Sequence, residues 1–221
     1  MYDLGINIGA SSVKVVLLKN RIISWKLVKS HEGNITGTLY KMLNSIAISD
    51  NIKTVVTGNE GSHLLNINHM IEPLCIEAAI KAINLKADAI VSMGGEDLNV
   101  YTLKGAGRIS HSLSGNKCAS GTGEFFKQQL DRMGLKLSDL DKIPWDSKVI
   151  KLSSRCSVFM KSDCTHLLNK KEATKDDIVI SLSHVMASKV TNFLIKARIT
   201  TGTVLLIGGV TNNRFIVKFI K

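Results

Sequence analysis

The amino-acid sequence predicts an α/β protein that contains two related lobes. Short strand-like runs alternate with amphipathic helical patterns along the chain, and the order of these elements approximately repeats. The first cycle reads β-β-β-α-β-α and the second β-β-α-α-α-β. We place the boundary near residue 95, so the first predicted lobe covers 1–95 and the second covers 96–221.

The first cycle begins with three predicted strands. Alternating apolar residues predict strands over 2–8, 13–18 and 22–28, and Gly9-Ala10-Ser11-Ser12 is typical of a tight turn between the first two. The remaining elements are a helix over 35–46, a strand over 52–56, a helix over 72–83 and a strand over 89–93.

The second cycle contains more helix than the first. Its predicted elements are strands over 98–103 and 108–113, a helix over 121–133, a helix after Cys156, a helix over 175–198, a strand over 204–207 and a helix begun by 214–220.

Composition limits the function classes. The net charge of +11 is spread along 221 residues without a dense basic run or interleaved aromatic side chains, which argues against a nucleic-acid partner. The N-terminus lacks a charged segment followed by an apolar one, and no uninterrupted apolar run approaches 18 residues. The sequence therefore predicts a cytoplasmic protein with no membrane span.

The cysteines do not form a disulfide framework, because four in a chain of this length are too few and too scattered. Cys118 precedes the helix start marked by Gly121 and Gly123, and Cys156 stands at the head of the next predicted helix. Helix N-termini suit a phosphate, a thiolate or a thiolate-bound cluster. Both cysteines are candidate metal ligands, with buried packing residues as the alternative.

The other two cysteines have less informative positions. Cys75 falls on an apolar helix face, and we interpret it as a core residue. Cys164 lies eight residues beyond Cys156, about two helical turns away, so it is a conceivable extra ligand, but we interpret it as a bystander.

Three predicted strands end in glycine, at Gly9, Gly94-Gly95 and Gly208-Gly209. A ligand that approaches the carboxyl ends of strands needs small residues there, because only then can backbone amides reach it. The chain contains neither a Walker A signature nor a G-x-G-x-x-G motif after a strand, so the predicted phosphate site is of another kind.

Five segments together carry a family resemblance. They are Gly5-Ile6-Asn7-Ile8-Gly9-Ala10-Ser11-Ser12-Val13-Lys14, Gly94-Gly95-Glu96-Asp97, Asn116-Lys117-Cys118-Ala119-Ser120-Gly121-Thr122-Gly123, Arg155-Cys156-Ser157-Val158-Phe159 and Gly208-Gly209-Val210-Thr211-Asn212-Asn213. The first resembles the phosphate hairpin of the sugar kinase, heat-shock chaperone and actin superfamily. The set resembles the CoA-substrate-specific enzyme activases, which are ATP-driven activators of 2-hydroxyacyl-CoA dehydratases and ATPase subunits of benzoyl-CoA reductases.

The resemblance implies an actin-like, ribonuclease H-like pair of lobes with mixed sheets flanked by helices, and binding of ATP or ADP with Mg²⁺. It also implies a homodimer with one [4Fe-4S] cluster at the interface, held by Cys118 and Cys156 of each chain. The implied partners are an acyl-CoA dehydratase or reductase and a low-potential electron donor such as ferredoxin or flavodoxin. The implied nucleotide-binding residues are Gly9, Ala10, Ser11, Ser12, Lys14, Gly94, Gly95, Gly121, Thr122, Gly123, Gly208, Gly209 and Asn212.

The chain departs from the family pattern at the positions that would serve hydrolysis. Asn7 and Ser92 stand where the family carries acidic residues, Glu96 replaces a glutamine, and Asp97 is retained. These four are the candidate catalytic residues. Because Mg²⁺ sites need one or two carboxylates, we expect nucleotide binding with slow or absent ATP hydrolysis.

Three alternatives remain beside an ATP-dependent, one-electron activator, and the least favoured is a nucleic-acid or protein-binding module without a ligand. The first is a non-hydrolysing regulatory domain, favoured by Asn7 and Ser92. The second is a sugar-kinase-type phosphotransferase, disfavoured because no aspartate has the context of a catalytic base. The family pattern continues beyond 214–220 with a further strand and helix, so we expect a C-terminally truncated fragment of a longer activase.

Overall fold

The computed structural model describes residues 2–46, 52–58, 64–105, 107–115, 121–154 and 156–220. The chain divides into two compact units, Met1–Leu85 and Lys86–Lys221. Each unit contains a four-stranded sheet with parallel and antiparallel pairs, accompanied by helices. The predicted α/β class with mixed sheets is confirmed.

The first unit is built on strands β1 (Tyr2–Ile8), β2 (Ser12–Lys19), β3 (Ile22–Ser30) and β4 (Ile52–Thr57). Their order in the sheet is β3-β2-β1-β4. β1 pairs antiparallel with β2 and parallel with β4. The unit also contains helices α1 (Ile35–Asn44) and α2 (Glu72–Ile83).

Alternation of side chains gives this sheet one buried face. Leu4, Ile6 and Ile8 of β1 are buried, together with Val13 and alternate residues of β2, and the residues between them are only partly buried. α1 adds its buried residues Leu39 and Met42 to the same core. Asn7 and Lys14 therefore lie on the face opposite the core.

The second unit repeats the sheet of the first. Its strands are β5 (Ala89–Met93), β6 (Leu98–Lys104), β7 (Arg108–Ser114) and β8 (Val204–Ile207), in the order β7-β6-β5-β8. β5 pairs antiparallel with β6 and parallel with β8. Thus β5, β6, β7 and β8 correspond to β1, β2, β3 and β4.

The division between the units precedes the boundary predicted near residue 95. β5 was predicted to close the first cycle, but it opens the second. Val91 lies opposite Val100 on β6 and Leu206 on β8, so β5 is a central strand of the second sheet. All five residues of β5 are buried, as expected of a central strand.

The helices of the second unit supply most of its core. They are α3 (Gly123–Arg132), α4 (Ser157–Asn169), α5 (Lys175–Lys196) and α6 (Arg214–Ile220), with 3₁₀ segments at Leu137–Lys142 and Gly209–Asn212. α5 begins at a capping box in which Thr174 accepts from the Asp177 amide and the Asp177 carboxylate accepts from the Thr174 amide.

Within the described residues, α5 is the one helix long and apolar enough to cross a membrane by length and composition. Such evidence is weak, because core helices meet the same criteria. α5 contributes residues such as Ile178, Leu182 and Val190 to the second core. Its place in that core accounts for its hydrophobicity.

Candidate functional site: two phosphate hairpins and a cysteine-capped helix

The β1–β2 turn forms a closed hairpin. The Gly9 amide donates a hydrogen bond to the Ser12 carbonyl over 3.1 Å. On the strands below the turn, Asn7 lies directly opposite Lys14. The Lys14 ammonium donates to Asn7 Oδ1 over 3.3 Å. The structure therefore brings together the nucleotide-binding residues predicted in the first lobe, Gly9, Ala10, Ser11, Ser12 and Lys14.

His31, at the end of β3, braces this hairpin. Its Nδ1 accepts from the Gly33 amide over 3.1 Å, so its Nε2 carries the proton and donates to the Gly9 carbonyl over 3.0 Å. The His31 amide donates to the Ser11 carbonyl over 3.3 Å. The His31 side chain is only 7% exposed. Sequence analysis did not assign this role to a histidine.

At the base of the hairpin, a row of polar residues extends across three neighbouring strands. Lys14, Asn7 and Thr57 stand side by side on β2, β1 and β4. The Thr57 hydroxyl oxygen is buried and has no hydrogen-bond partner among the described residues. Burial lowers the pKa of Lys14, and the Glu72 carboxylate partly opposes that shift. Lys14 is the charged member of this row, and its charge is positive.

The β5–β6 turn repeats the hairpin in the second unit. The Gly94 amide donates to the Asp97 carbonyl over 2.8 Å, which matches the bond from Gly9 to Ser12. Ser92 lies opposite Asn99, as Asn7 lies opposite Lys14. Of the other candidate catalytic residues, Glu96 is exposed in the turn and Asp97 is half-buried. Neither occupies a strand position equivalent to Asn7.

A glycine with positive φ lies against the last residue of the first strand of each hairpin. Gly58, with φ of 96°, lies against Ile8, and Gly208, with φ of 97°, lies against Met93. A Cβ atom on Gly58 would meet the backbone of Ile8, and one on Gly208 would meet the backbone of Met93. Both positions therefore require glycine for conformational and steric reasons. Gly58 was not among the predicted site residues, although its counterpart Gly208 was.

The start of α3 packs directly on the second hairpin. The Gly123 amide donates to the Gly94 carbonyl over 3.1 Å, and the Glu124 amide donates to the Gly95 carbonyl over 2.9 Å. Thr122 caps the helix by accepting from the Phe125 amide over 3.3 Å. The sequence predicts that the amides at this helix start are available to an anion. The Gly123 and Glu124 amides instead hold the helix against the hairpin, and the Phe125 amide bonds to the Thr122 cap.

The Gly208–Asn212 segment also reaches the second hairpin. The Thr211 hydroxyl donates to the Gly208 carbonyl over 2.7 Å, which closes the 3₁₀ turn that includes Gly209 and Asn212. Asn213 then anchors the turn from below. Its Oδ1 accepts from the Phe215 amide over 3.0 Å, and its Nδ2 donates to Ser183 Oγ over 3.0 Å.

Of the two predicted metal ligands, Cys156 is among the described residues. Cys118 lies outside the described residues. Cys156 is half-buried and is not in a disulfide. It occupies the N-cap position of α4, where its side chain makes no capping hydrogen bond and its carbonyl accepts from the Met160 amide over 3.0 Å. The Asp163 carboxylate accepts from the Ser153 amide over 2.8 Å and so ties the segment before Cys156 to α4.

The remaining cysteines have the surroundings of packing residues. Cys164 is 4% exposed, and burial raises the pKa of its thiol to about 11, with a smaller contribution from the Asp163 carboxylate. It is therefore a neutral thiol near pH 7. Cys75 is half-buried on α2, with its thiol 3.9 Å from the Met70 carbonyl.

The strand residues at the base of each hairpin offer no carboxylate to a divalent cation, and the carboxylates of the second turn are those of Glu96 and Asp97. Neither Asn7 nor Ser92 carries a charge, whereas Mg²⁺ sites in proteins use carboxylates. Among the described parts of the chain, no group of three or more His, Cys, Asp or Glu side chains could hold a metal ion.

Two equivalent sheets, each with a glycine-closed hairpin between its first two strands and a parallel fourth strand, define the actin-like ATPase fold. The chain matches the BadF/BadG/BcrA/BcrD ATPase family over residues 4–221 and belongs to that family.

Similar proteins include enzyme activators. The 2-hydroxyisocaproyl-CoA dehydratase activator of Clostridioides difficile is 31% identical over 227 residues, which cover 99% of this chain and 84% of the relative. The (R)-2-hydroxyglutaryl-CoA dehydratase activating ATPase of Acidaminococcus fermentans is 27% identical over 224 residues, which cover 96% of this chain and 84% of the relative. The solved structure of the Clostridium difficile activator with bound ADPNP gives a TM-score of 0.88 at 28% identity, covering 100% of this chain and 84% of that chain.

Proposed function

We propose that this protein is an ATP-binding iron–sulfur activator that delivers single electrons to a 2-hydroxyacyl-CoA dehydratase or a related CoA-ester reductase. Two copies of the chain share one [4Fe-4S] cluster, and a low-potential donor such as ferredoxin or flavodoxin reduces it in the cytoplasm. The observation that carries the proposal is the combination of two phosphate hairpins with a free cysteine at a helix N-terminus, in a chain similar to dehydratase activators.

The hairpins support nucleotide binding. Gly9 and Gly94 close turns of the same form after the carboxyl ends of β1 and β5, the end of a strand at which ligands commonly bind in α/β sheets. The relative solved with ADPNP has the same fold over this whole chain. Within each unit, hydrogen bonds from the protein hold the backbone of the turn, from His31 to Gly9 and from Gly123 to Gly94.

Cys156 supports the cluster. Cys156 stands at the N-terminus of α4, where the positive end of the helix dipole favours a cluster of net negative charge. A cubane cluster takes four thiolates, so Cys118 and Cys156 of two chains complete the set across a two-fold axis. When bound, the cluster supplies one-electron chemistry. The protein's part is to hold the thiolates, and Asp163 contributes by fixing the chain that leads into Cys156.

The test of the cluster is iron and acid-labile sulfide per chain after strictly anaerobic purification. The proposal expects about two irons per chain, because two chains share four. Cys118→Ala and Cys156→Ala should each remove the iron and shift the protein from dimer to monomer. Cys75→Ala is the matched control, since Cys75 is half-buried on α2, and it should keep full iron content. Full iron content in Cys118→Ala would rule out the shared cluster.

A second candidate is a nucleotide-binding regulatory domain that does not hydrolyse ATP. The observation that favours it is the absence of a carboxylate at both Asn7 and Ser92. Release of inorganic phosphate from ATP, measured with the anaerobic protein and its reductant, separates the two. Turnover supports the activator, and bound ATP that persists without turnover supports the regulatory domain.

A further inference from the structure

The first hairpin carries a positively charged side chain, Lys14, beside Asn7, a residue that offers no carboxylate to a metal ion. The Lys14 ammonium lies 3.3 Å from Asn7 Oδ1. It also lies 3.3 Å from the point that a Cβ atom on Gly9 would occupy, so it reaches over the backbone of the turn. The positive charge is thus placed at the hairpin that would contact phosphate.

Asn7 does not neutralise that charge, and the described carboxylate that acts on it is that of Glu72, on α2. A carboxylate at residue 7 would pair with the ammonium and cancel its charge, whereas the amide oxygen accepts one hydrogen bond and stays neutral. A lysine ammonium has three N–H donors, so two remain for the oxygens of an anion. Partial burial strengthens this attraction, because an ammonium that has lost part of its hydration interacts more strongly with a phosphate.

The other described acidic side chains of the first unit do not build a metal site at the hairpin. Asp3 lies four residues before Asn7 on β1, about 13 Å away along the strand. Glu32 is exposed in the turn after β3, and Glu77 is half-buried on α2. Glu72, in the first turn of α2, acts on Lys14 itself by opposing the fall of its pKa.

We propose that the Lys14 ammonium takes the place of a divalent cation at this hairpin, so that the chain binds a nucleoside diphosphate or triphosphate without Mg²⁺. The inference rests on the proposed nucleotide binding and adds its ion requirement. Asn7 positions the ammonium, and Lys14 contacts the phosphate.

The test is calorimetric titration of the full chain with ADP, once in excess EDTA and once in MgCl₂. Equal affinity in the two buffers is expected. Lys14→Met should weaken ADP binding in EDTA by about tenfold or more, the loss expected for a hydrogen bond between charged groups. Lys19→Met is the matched control, because Lys19 is on the same strand but at its far, exposed end, and it should leave affinity unchanged.

Asn7→Asp provides a second test that does not remove the lysine. The new carboxylate should pair with Lys14, weaken ADP binding in EDTA by about tenfold, and make binding recover when Mg²⁺ is added. The proposal is overturned if the unaltered chain binds ADP in MgCl₂ but not in EDTA, a result that leaves nucleotide binding intact. Absence of ADP binding in both buffers overturns the nucleotide-binding function itself, and the inference with it.

Discussion

Gly208 should be among the least replaceable residues of the second unit. Its φ of 97° and ψ of 165° lie in a region open almost only to glycine, and forcing alanine into it costs about 1–3 kcal/mol. The added methyl group would also meet the Met93 backbone, and relieving such overpacking costs about 1–3 kcal/mol more. We expect Gly208→Ala to lower the free energy of unfolding of this unit by about 4 kcal/mol.

The assay is urea unfolding followed by far-UV circular dichroism. With a slope of about 2 kcal/mol per molar urea, this loss moves the midpoint of the second unit's transition down by about 2 M. Gly209→Ala is the control, because a Cβ atom there would meet nothing within 4 Å. The steric argument would be refuted if the free energies of unfolding of Gly208→Ala and Gly209→Ala differed by less than about 1 kcal/mol, the smallest cost expected for overpacking.

Three further predictions concern side chains. His31→Ala should lower the free energy of unfolding of the first unit by about 1–3 kcal/mol, because the Gly9 carbonyl and the Gly33 amide lose their partner, and a loss below that range in urea unfolding contradicts the brace. Asn213→Ala should cost the second unit about 2 kcal/mol through loss of the α6 cap and the Ser183 contact, and an unchanged urea midpoint would exclude this anchoring. Because folding raises the pKa of the Cys164 thiol from 9.0 to about 11, its contribution to stability is complete below pH 9 and decreases as pH rises to 11. Between pH 9 and pH 11, the free energy of unfolding should fall more steeply for the unaltered chain than for Cys164→Ala. Parallel pH profiles of the two proteins would contradict this contribution of Cys164.

Strong local patterns made most of the fold predictable. The alternation in β1 and β2 and the helical spacing of α1 and α2 each give an element its own signature. β5 was recognised as a strand but placed in the wrong cycle. Its five buried residues indicate that it has neighbours on both sides, yet local sequence does not say which strands those are. Pairing with β8 joins residues more than a hundred positions apart.

The candidate site was predictable where glycine was the signal. Gly9, Gly94 and Gly208 were recognised because tight turns and close backbone contacts need that residue. His31 was missed because a single histidine belongs to no motif. Its position follows from strand register, however. Because Ser12 pairs with Ser30, the last residue of β3, His31 must lie beside the hairpin turn. The amides of α3 were predicted to be available because helix starts are usually open, and only the fold reveals that hairpin carbonyls occupy them.

His31 connects the first hairpin to helix α1 through a series of hydrogen bonds. The His31 side chain holds the Gly9 carbonyl, and its own carbonyl accepts from the Asn34 amide over 2.7 Å. Asn34 in turn caps α1 by accepting from the Gly37 amide over 2.9 Å. A pull on the turn is therefore transmitted through a short series of hydrogen bonds to the start of a core helix. A displacement of Gly9 would therefore act on the N-terminus of α1 through these bonds.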